Sequence, residues 1–65
     1  MINEEPSVAK NGRYPIGKAA QLLGISRNTL RTYADSGVIK SSVSRVNGRR
    51  IFLGIDLLYL WRTHI

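Results

Sequence analysis

One face of a predicted helix in the middle of the chain carries side chains that can read DNA bases. Within the segment GISRNTLRTYADSGVI, four polar residues recur at the i, i+3, i+4, i+7 spacing of a single helix face: Asn28, Arg31, Thr32 and Asp35. Arginine and asparagine can form paired hydrogen bonds with the major-groove edges of guanine and adenine. The alternative is a solvated face on which Arg31 and Asp35 form a weak ion pair. The pattern favours base recognition over that alternative.

A second cluster of arginines surrounds Asn47–Gly48 in the segment SVSRVNGRRIFL. Asn-Gly between strand-forming residues predicts a two-residue type I′ hairpin turn, because both central residues need positive φ. This turn places Val46 opposite Arg49 and Arg45 opposite Arg50. Like charges that face each other across a ladder repel, and a phosphate between them reverses the sign of that interaction. We interpret the hairpin as a wing on a nucleic-acid backbone; the alternative is that the arginines extend into water.

The charge of the chain is concentrated in the same region. Ten Lys and Arg residues stand against four Asp and Glu residues, a net charge of +6. Between residues 13 and 50, eight basic residues stand against Asp35 alone, which gives a net +7 there. Because guanidinium groups match phosphate oxygens and base edges, this concentration indicates a polyanionic partner. Considered alone, the charge fits a solvated basic surface equally well.

The elements that must position these residues begin with a short helix at roughly Lys18–Leu23. Its apolar residues follow the spacing of one buried helix face: Ile16, Ala19, Ala20 and Leu23. Gly24 can adopt the left-handed conformation that ends a helix. The second helix begins at Arg27 after the capping residue Ser26 and ends near Ser36, where Gly37 is again suited to the left-handed conformation. It buries Leu30, Tyr33 and Ala34. Two helices around a glycine-containing turn predict a helix-turn-helix.

The flanking parts of the chain complete the predicted organisation. Residues 1–13 are polar and aperiodic, and we predict a flexible N-terminal tail there, with the folded domain over residues 14–65. The N-terminus lacks the apolar core of a signal peptide, and no stretch approaches the ~20 apolar residues that span a bilayer. We expect a cytoplasmic, nucleoid-associated protein that does not contact membranes.

The sequence contains few residues that could form a catalytic site or bind a metal ion. Catalysis needs a supported group in a pocket, but the carboxylates are scattered and the one histidine, His64, is near the C-terminus. Tyr14, Tyr33 and Tyr59 fit packing better than a nucleophilic role in a chain of 65 residues. With no cysteine, the ligands for structural zinc are too few. We expect no enzymatic activity, no metal and no cofactor.

The run YPIGKAAQLLGISRNTLRTYADSGVI, followed by NGRRIF, resembles the winged helix-turn-helix of MerR-like regulators and excisionase-family DNA-binding proteins. The matching positions are Ala20, Leu23, Gly24, Ile25, Ser26, Thr29, Leu30, Arg31, Tyr33, Gly37, Gly48, Arg49, Arg50, Asp56 and Leu57. The resemblance implies a mostly α fold with a small β-hairpin: three short helices plus a two-stranded wing. It implies that the second helix enters the major groove, and that Tyr33 packs or touches phosphate. The candidate DNA-binding residues are Ser26, Arg27, Asn28, Thr29, Arg31, Thr32, Tyr33, Arg45, Arg49 and Arg50.

The sequence departs from this family pattern in two places. MerR-like regulators continue into a long dimerising helix and an effector domain, whereas this sequence stops at Ile65, so we expect no ligand sensing. The family also tends to have a capping residue before the last helix, where this sequence has Leu53–Gly54. The start of the last helix is therefore open.

These observations predict a protein that binds double-stranded DNA sequence-selectively. The function that ranks first is that of an excisionase-like architectural factor, which acts beside an integrase in site-specific recombination. A small MerR-like transcriptional regulator without an effector domain ranks second. The alternative of another class is a protein-interaction module that docks an acidic partner, and salt dependence with competition by random DNA separates it from DNA binding.

The last helix, in GIDLLYLWRTHI, carries more apolar residues than one buried face requires. Leu57, Leu60 and Trp61 form a stripe suited to the core. Leu58 and Ile65 belong to a second stripe, and we predict that neighbouring copies on DNA contact each other through these two residues. The alternative is that the second stripe lies across the base of the wing.

Overall fold

The protein is described here from a computed structural model, which covers residues 2–64 and, at His64, the backbone alone. The order of elements is β1 (Arg13–Pro15), α1 (Ile16–Leu23), α2 (Arg27–Asp35), β2 (Ser42–Val43), β3 (Arg50–Leu53) and α3 (Gly54–His64). Three helices with a small antiparallel sheet confirm the predicted winged helix-turn-helix. The sheet has three strands and not two, because β1 pairs with β3.

The helix-turn-helix follows the local signals of the sequence. Helix α1 begins at Ile16, directly after Pro15, whose missing N–H suits the residue before a first helical turn. Gly24 ends α1 in the left-handed conformation at φ 73°. At the start of α2, the Ser26 side chain accepts a hydrogen bond from the backbone N–H of Thr29. The predicted capping and glycine positions are confirmed.

The end of α2 follows the same logic. Gly37 has φ 81°, and the chain then turns back so that the N–H of Val38 donates to the carbonyl of Tyr33 at 2.9 Å. This arrangement satisfies a carbonyl that the helix itself leaves unpaired. The residue after it, Ile39, is buried and joins the core.

A single core takes buried side chains from the three helices and from the sheet. The largest fully buried side chains are Phe52, Leu23, Leu30, Leu57 and Leu60. Ala19 and Ala20 of α1 are also buried, and their small side chains let the neighbouring elements approach closely. The core therefore takes at least one large residue from each helix and one from β3, which fixes α2 relative to the wing.

Strand β3 is the middle strand, with β1 and β2 antiparallel on either side. In the pairing with β1, Tyr14 faces Phe52 and Arg13 faces Leu53. Because successive side chains alternate between the two faces of a strand, Phe52 enters the core while Leu53 is exposed. The proline in β1 is tolerated because β1 is an edge strand.

The predicted turn of the wing is wrong. In the structure Val43 faces Arg50, and the N–H of Ser44 donates to the carbonyl of Arg49 at 2.8 Å, which leaves a four-residue loop at 45–48. Arg45 therefore does not face Arg50, and Val46 does not face Arg49. A type I′ turn needs two residues with positive φ, but only Gly48 has one, at 69°. The Asn47 side chain instead accepts the N–H of Arg49, which suits a longer loop.

The N-terminal segment, residues 2–12, lies against the domain in the structure, although the sequence predicts a flexible tail there. The N–H of Ile2 donates to the carbonyl of Leu23 at 3.0 Å, and the carbonyl of Ile2 accepts the indole N–H of Trp61 at 2.9 Å. Pro6 is buried, and Val8 packs against the core. Arg13, the last residue of the predicted tail, belongs to β1.

The same segment begins helix α3. The N–H of Gly54 donates to the carbonyl of Gly12 at 2.9 Å, and the N–H of Ile55 donates to the carbonyl of Lys10 at 3.1 Å. These two N–H groups have no partners within the helix, and side chains usually satisfy them. Backbone carbonyls of the N-terminal segment thus replace the capping side chain that the sequence lacks before α3.

The predicted contact surface on α3 is wrong at Leu58. Leu58 is only 6% exposed, and Ile65 lies outside the described residues. Gly54, Leu58 and Trp61 share one side of α3 at the i, i+4, i+7 spacing. The N-terminal segment meets both ends of this side, at Gly54 through Gly12 and at Trp61 through Ile2. Leu58 lies between these contacts on the same side of the helix.

Candidate nucleic-acid interface

The outer face of α2 is polar and accessible. Arg27, Asn28, Arg31, Thr32 and Asp35 are all exposed, while Leu30 on the opposite side is fully buried. The buried side anchors the helix in the core, so the exposed face has a fixed direction relative to the rest of the domain. The structure thus brings together the four residues that the sequence placed on one helix face.

Several of the candidate side chains on α2 form hydrogen bonds within the helix or its N-terminal cap. Ser26 Oγ accepts the N–H of Thr29 at 3.1 Å and lies 2.8 Å from Thr29 Oγ1. Thr32 Oγ1 donates to the carbonyl of Asn28 at 2.9 Å. By contrast, within residues 2–64 the side chains of Asn28 and Arg31 have no hydrogen-bond or ion-pair partner. Their donors and acceptors are available to a ligand.

Arg27 extends from α2 towards α1. Its guanidinium passes directly over Gly17, so close that a Cβ at this position would lie 2.7 Å from Nη2 of Arg27. Gly17 is in the first turn of α1, where backbone N–H groups carry partial positive charge. Arg27 and the start of α1 therefore present positive charge side by side, an arrangement suited to phosphate.

Tyr33 has a different environment from the other candidates. It is half-buried and packs against the core. Its backbone carbonyl also accepts the N–H of Val38 after the end of α2. The position of Tyr33 is therefore that of a packing residue at the edge of the helix-turn-helix.

The three wing arginines fall into two groups. Arg45 and Arg49 are exposed, and among the described residues neither has a carboxylate within 4.0 Å. Arg50 is half-buried, and its Nη1 lies 3.0 Å from Asp35 Oδ1. Asp35 thus pairs with Arg50 of the wing and not with Arg31 of its own helix. Arg45 and Arg49 are free to contact a partner, whereas Arg50 links the wing to α2.

A model of the family described as MerR family regulatory protein matches residues 15–52. The chain belongs to the MerR family. The match runs from the end of β1 through α1, α2 and the wing into β3, and covers more than half of the chain. Domains of this MerR type bind DNA, so at family level this is a DNA-binding regulatory protein. No curated protein and no solved structure matches the chain.

The MerR-type domain also contains features that sequence reasoning missed. Val46, at the tip of the wing, is 94% exposed. It lines a surface hollow on the wing with Val43, Leu53 and two arginines, Arg13 and Arg45. The strand β1 that brings Arg13 to this hollow has only three residues, and its composition gives no strand signal. The exposed valine could have been noticed, since β-branched residues are unusual in a hairpin loop.

The described residues also bear on metal binding and on membrane insertion. In the part of the chain that the structure describes, no group of three or more His, Asp or Glu side chains is placed to hold a metal ion. Within the same residues, no helix has the length and apolar character needed to cross a membrane. The regulatory character of the MerR family agrees with the expectation of a non-enzymatic protein.

Proposed function

We propose that this MerR-family protein is a transcriptional regulator that binds duplex DNA sequence-selectively, with α2 in the major groove and the wing on the phosphate backbone. The observation that carries the proposal is the exposed face of α2, on which Asn28 and Arg31 have no partner among residues 2–64. Both are residue types that pair with base edges. The helix is anchored from behind by Leu30, so it can be presented to a groove without rearrangement.

The basic side chains divide into two roles in this proposal. Arg31 and Asn28 contact bases, which specifies sequence. Arg27, Arg45 and Arg49 contact phosphates on either side of the major groove, which fixes register and supplies most of the salt-dependent affinity. Ser26, Thr29, Thr32 and Tyr33 act mainly by shaping the helix that carries these contacts.

The family match bears on the biological process. The sequence alone ranks an excisionase-like role beside an integrase ahead of transcriptional regulation, but the matching family is one of regulatory proteins. No feature of the described residues favours recombination. We therefore place transcriptional regulation first.

Selection from a pool of random duplexes, followed by measurement of affinity for the selected site at several salt concentrations, tests the proposal. We expect one enriched sequence and a linear fall of log affinity with log salt, with a slope of about −0.9 for each phosphate contacted. The double variant R45Q/R49Q should flatten the slope by about 1.8, while K10Q, which removes one charge on the N-terminal segment, should leave it almost unchanged.

A protein-interaction module for acidic partners gives a different result. In that case no sequence is enriched, and polyglutamate competes as well as random DNA at equal charge. That outcome would refute the proposal.

A further inference from the structure

An open hollow lies between the first turns of α3 and the segment that follows α2. Its volume is about 550 Å³. Three of its apolar side chains are accessible to solvent: Val38 is 37% exposed, Ile55 52% and Tyr59 65%. Contiguous apolar groups exposed on a soluble protein usually mark a contact with a partner. The side chains that line the hollow are those of Val38, Ile39, Lys40, Ile55, Asp56 and Tyr59.

Two unpaired charges of opposite sign border this hollow. Among residues 2–64, neither Lys40 nor Asp56 has an ion-pair partner within 4.0 Å, although both line the hollow. Asp35 is the only other Asp or Glu beyond the N-terminal segment, and it pairs with Arg50. The hollow therefore carries one available charge of each sign, in contrast to the basic face formed by α2 and the wing.

A second copy of the chain is the partner that this arrangement fits. In a contact with two-fold symmetry, the same surface of both copies meets itself. Lys40 of one copy can then pair with Asp56 of the other, and the reverse pair forms on the other side of the axis. The apolar side chains meet between the two pairs. A two-fold contact through the basic faces would instead bring like charges together. The charges therefore favour this hollow as the surface between copies.

We propose that copies bound at neighbouring DNA sites contact each other through this hollow, with Lys40 of each copy paired with Asp56 of the other. The inference rests on the proposed DNA-binding function. The contact is made by the DNA-binding domain itself, and not by the long C-terminal helix through which MerR-like regulators dimerise. It also uses a different side of α3 from Leu58, which is buried.

The size and position of the hollow determine when the contact forms. A standard protein interface has about 20–30 residues on each side, many more than line this hollow, so free chains should associate only weakly. Two copies on one duplex are held at a high local concentration, which allows a weak contact to form. Val38 follows α2 closely, and its neighbour Ile39 is anchored in the core. The contact therefore fixes the two α2 helices relative to each other, as two sites in inverted orientation require.

Duplexes that carry one selected site, or two selected sites in inverted orientation, test the contact. The spacing between the two sites is varied over one helical turn of about 10 base pairs, because a two-fold contact fits one relative orientation. We expect the second copy to bind about tenfold more tightly than the first at the matching spacing. Changes in general affinity for DNA cancel in this ratio. On the single-site duplex, variants at Lys40 and Asp56 should keep the sequence selectivity of the wild-type chain.

Charge reversal identifies the pair. K40E and D56K each place like charges across the axis, so each alone should bind the two sites without cooperativity. An equal mixture of the two variants should restore cooperativity, because one chain then supplies two carboxylates and the other two ammonium groups. A contact within one chain cannot produce this restoration. E5K makes the same reversal as D56K at an exposed residue outside the hollow and should keep cooperativity.

Y59S tests the hollow without a change of charge. Because the side chain is 65% exposed, thermal unfolding should stay unchanged while cooperativity falls. V43S is the matched control, since Val43 is an equally exposed apolar residue of the wing, and it should keep cooperativity.

Independent binding by the wild-type chain at every spacing, or an equal mixture that stays non-cooperative, would overturn the contact and leave DNA binding intact. Cooperativity that survives in K40E, D56K and Y59S would also overturn it, because the copies would then meet elsewhere. Failure of the wild-type chain to bind the single-site duplex at low salt would instead refute the proposed DNA-binding function.

Discussion

Nη1 of Arg50 lies 3.0 Å from Oδ1 of Asp35, so that an ion pair joins the base of the wing to the last residue of α2. Nη1 is shielded from solvent and makes no aligned hydrogen bond within the described residues, and Asp35 is the opposite charge beside it. The two side chains are 35% and 60% exposed. A pair this accessible to water contributes at most about 1 kcal/mol to stability. Its main consequence is the orientation of the wing relative to the helix.

D35N should therefore change DNA binding more than stability. We expect the free energy of unfolding to fall by less than about 1 kcal/mol. If α2 faces DNA as proposed, removing a negative charge from that face should raise affinity for random DNA, whereas a less fixed wing should lower the ratio of specific to random binding. Filter binding on the selected site and on random duplex measures both. D56N removes the same charge on α3 and should leave the ratio unchanged; an equal shift in both variants would show that the ion pair has no positioning role.

Arg31 should contribute specificity more than general affinity. Because its guanidinium has no partner within residues 2–64, R31A leaves no buried charge unpaired and should not alter stability. Affinity for the selected site should fall by about 1–3 kcal/mol, and affinity for random duplex much less. Competition titrations with the two DNAs give the difference. If R31A weakens both equally, Arg31 contacts phosphate and not bases.

Local signals made much of the helix-turn-helix predictable. Ser26, Gly24 and Gly37 act on the backbone within a few residues, so the residue type alone indicates the capping role. The exposed face of α2 followed from the 3.6-residue period, because Leu30 on the other side is apolar enough to fix which face is buried.

The features that the sequence did not reveal depend on contacts between distant parts of the chain. The start of α3 is capped by the carbonyls of Lys10 and Gly12, and a backbone carbonyl leaves no trace in residue type. In the wing, Asn-Gly indicated a turn, but its length was decided by the Ser44–Arg49 pairing and by the single left-handed residue Gly48.

The N-terminal segment should stabilise the domain. Deletion of residues 1–12 removes the two caps of α3 and the bond from Trp61 to Ile2. At about 1 kcal/mol for each hydrogen bond, together with the burial of Pro6, we expect a loss of roughly 2–4 kcal/mol in the free energy of unfolding. Urea denaturation followed by tryptophan fluorescence measures it. G54A should act in the same direction in the full chain, because a Cβ at Gly54 would overlap the carbonyl oxygen of Ala9. Stability unchanged in both variants would mean that the segment does not hold α3.

Gly17 should matter for DNA binding without mattering for stability, in contrast to Gly54. A Cβ at Gly17 would lie 2.7 Å from Nη2 of Arg27, and the tip of that side chain can move away at little cost. Alanine also favours a helix over glycine by up to about 1 kcal/mol, so G17A should be as stable as the wild-type chain or slightly more stable.

Displacement of the Arg27 guanidinium from the first turn of α1 should weaken binding to all duplexes alike, because a phosphate contact carries no sequence information. We expect G17A to approach R27A in affinity and in salt slope, and the double variant G17A/R27A to be no weaker than R27A alone. If the losses of affinity add up in the double variant, Gly17 affects DNA binding by another route, such as close approach of the α1 backbone to phosphate. Titrations of the four proteins on one random duplex at several salt concentrations distinguish the two results.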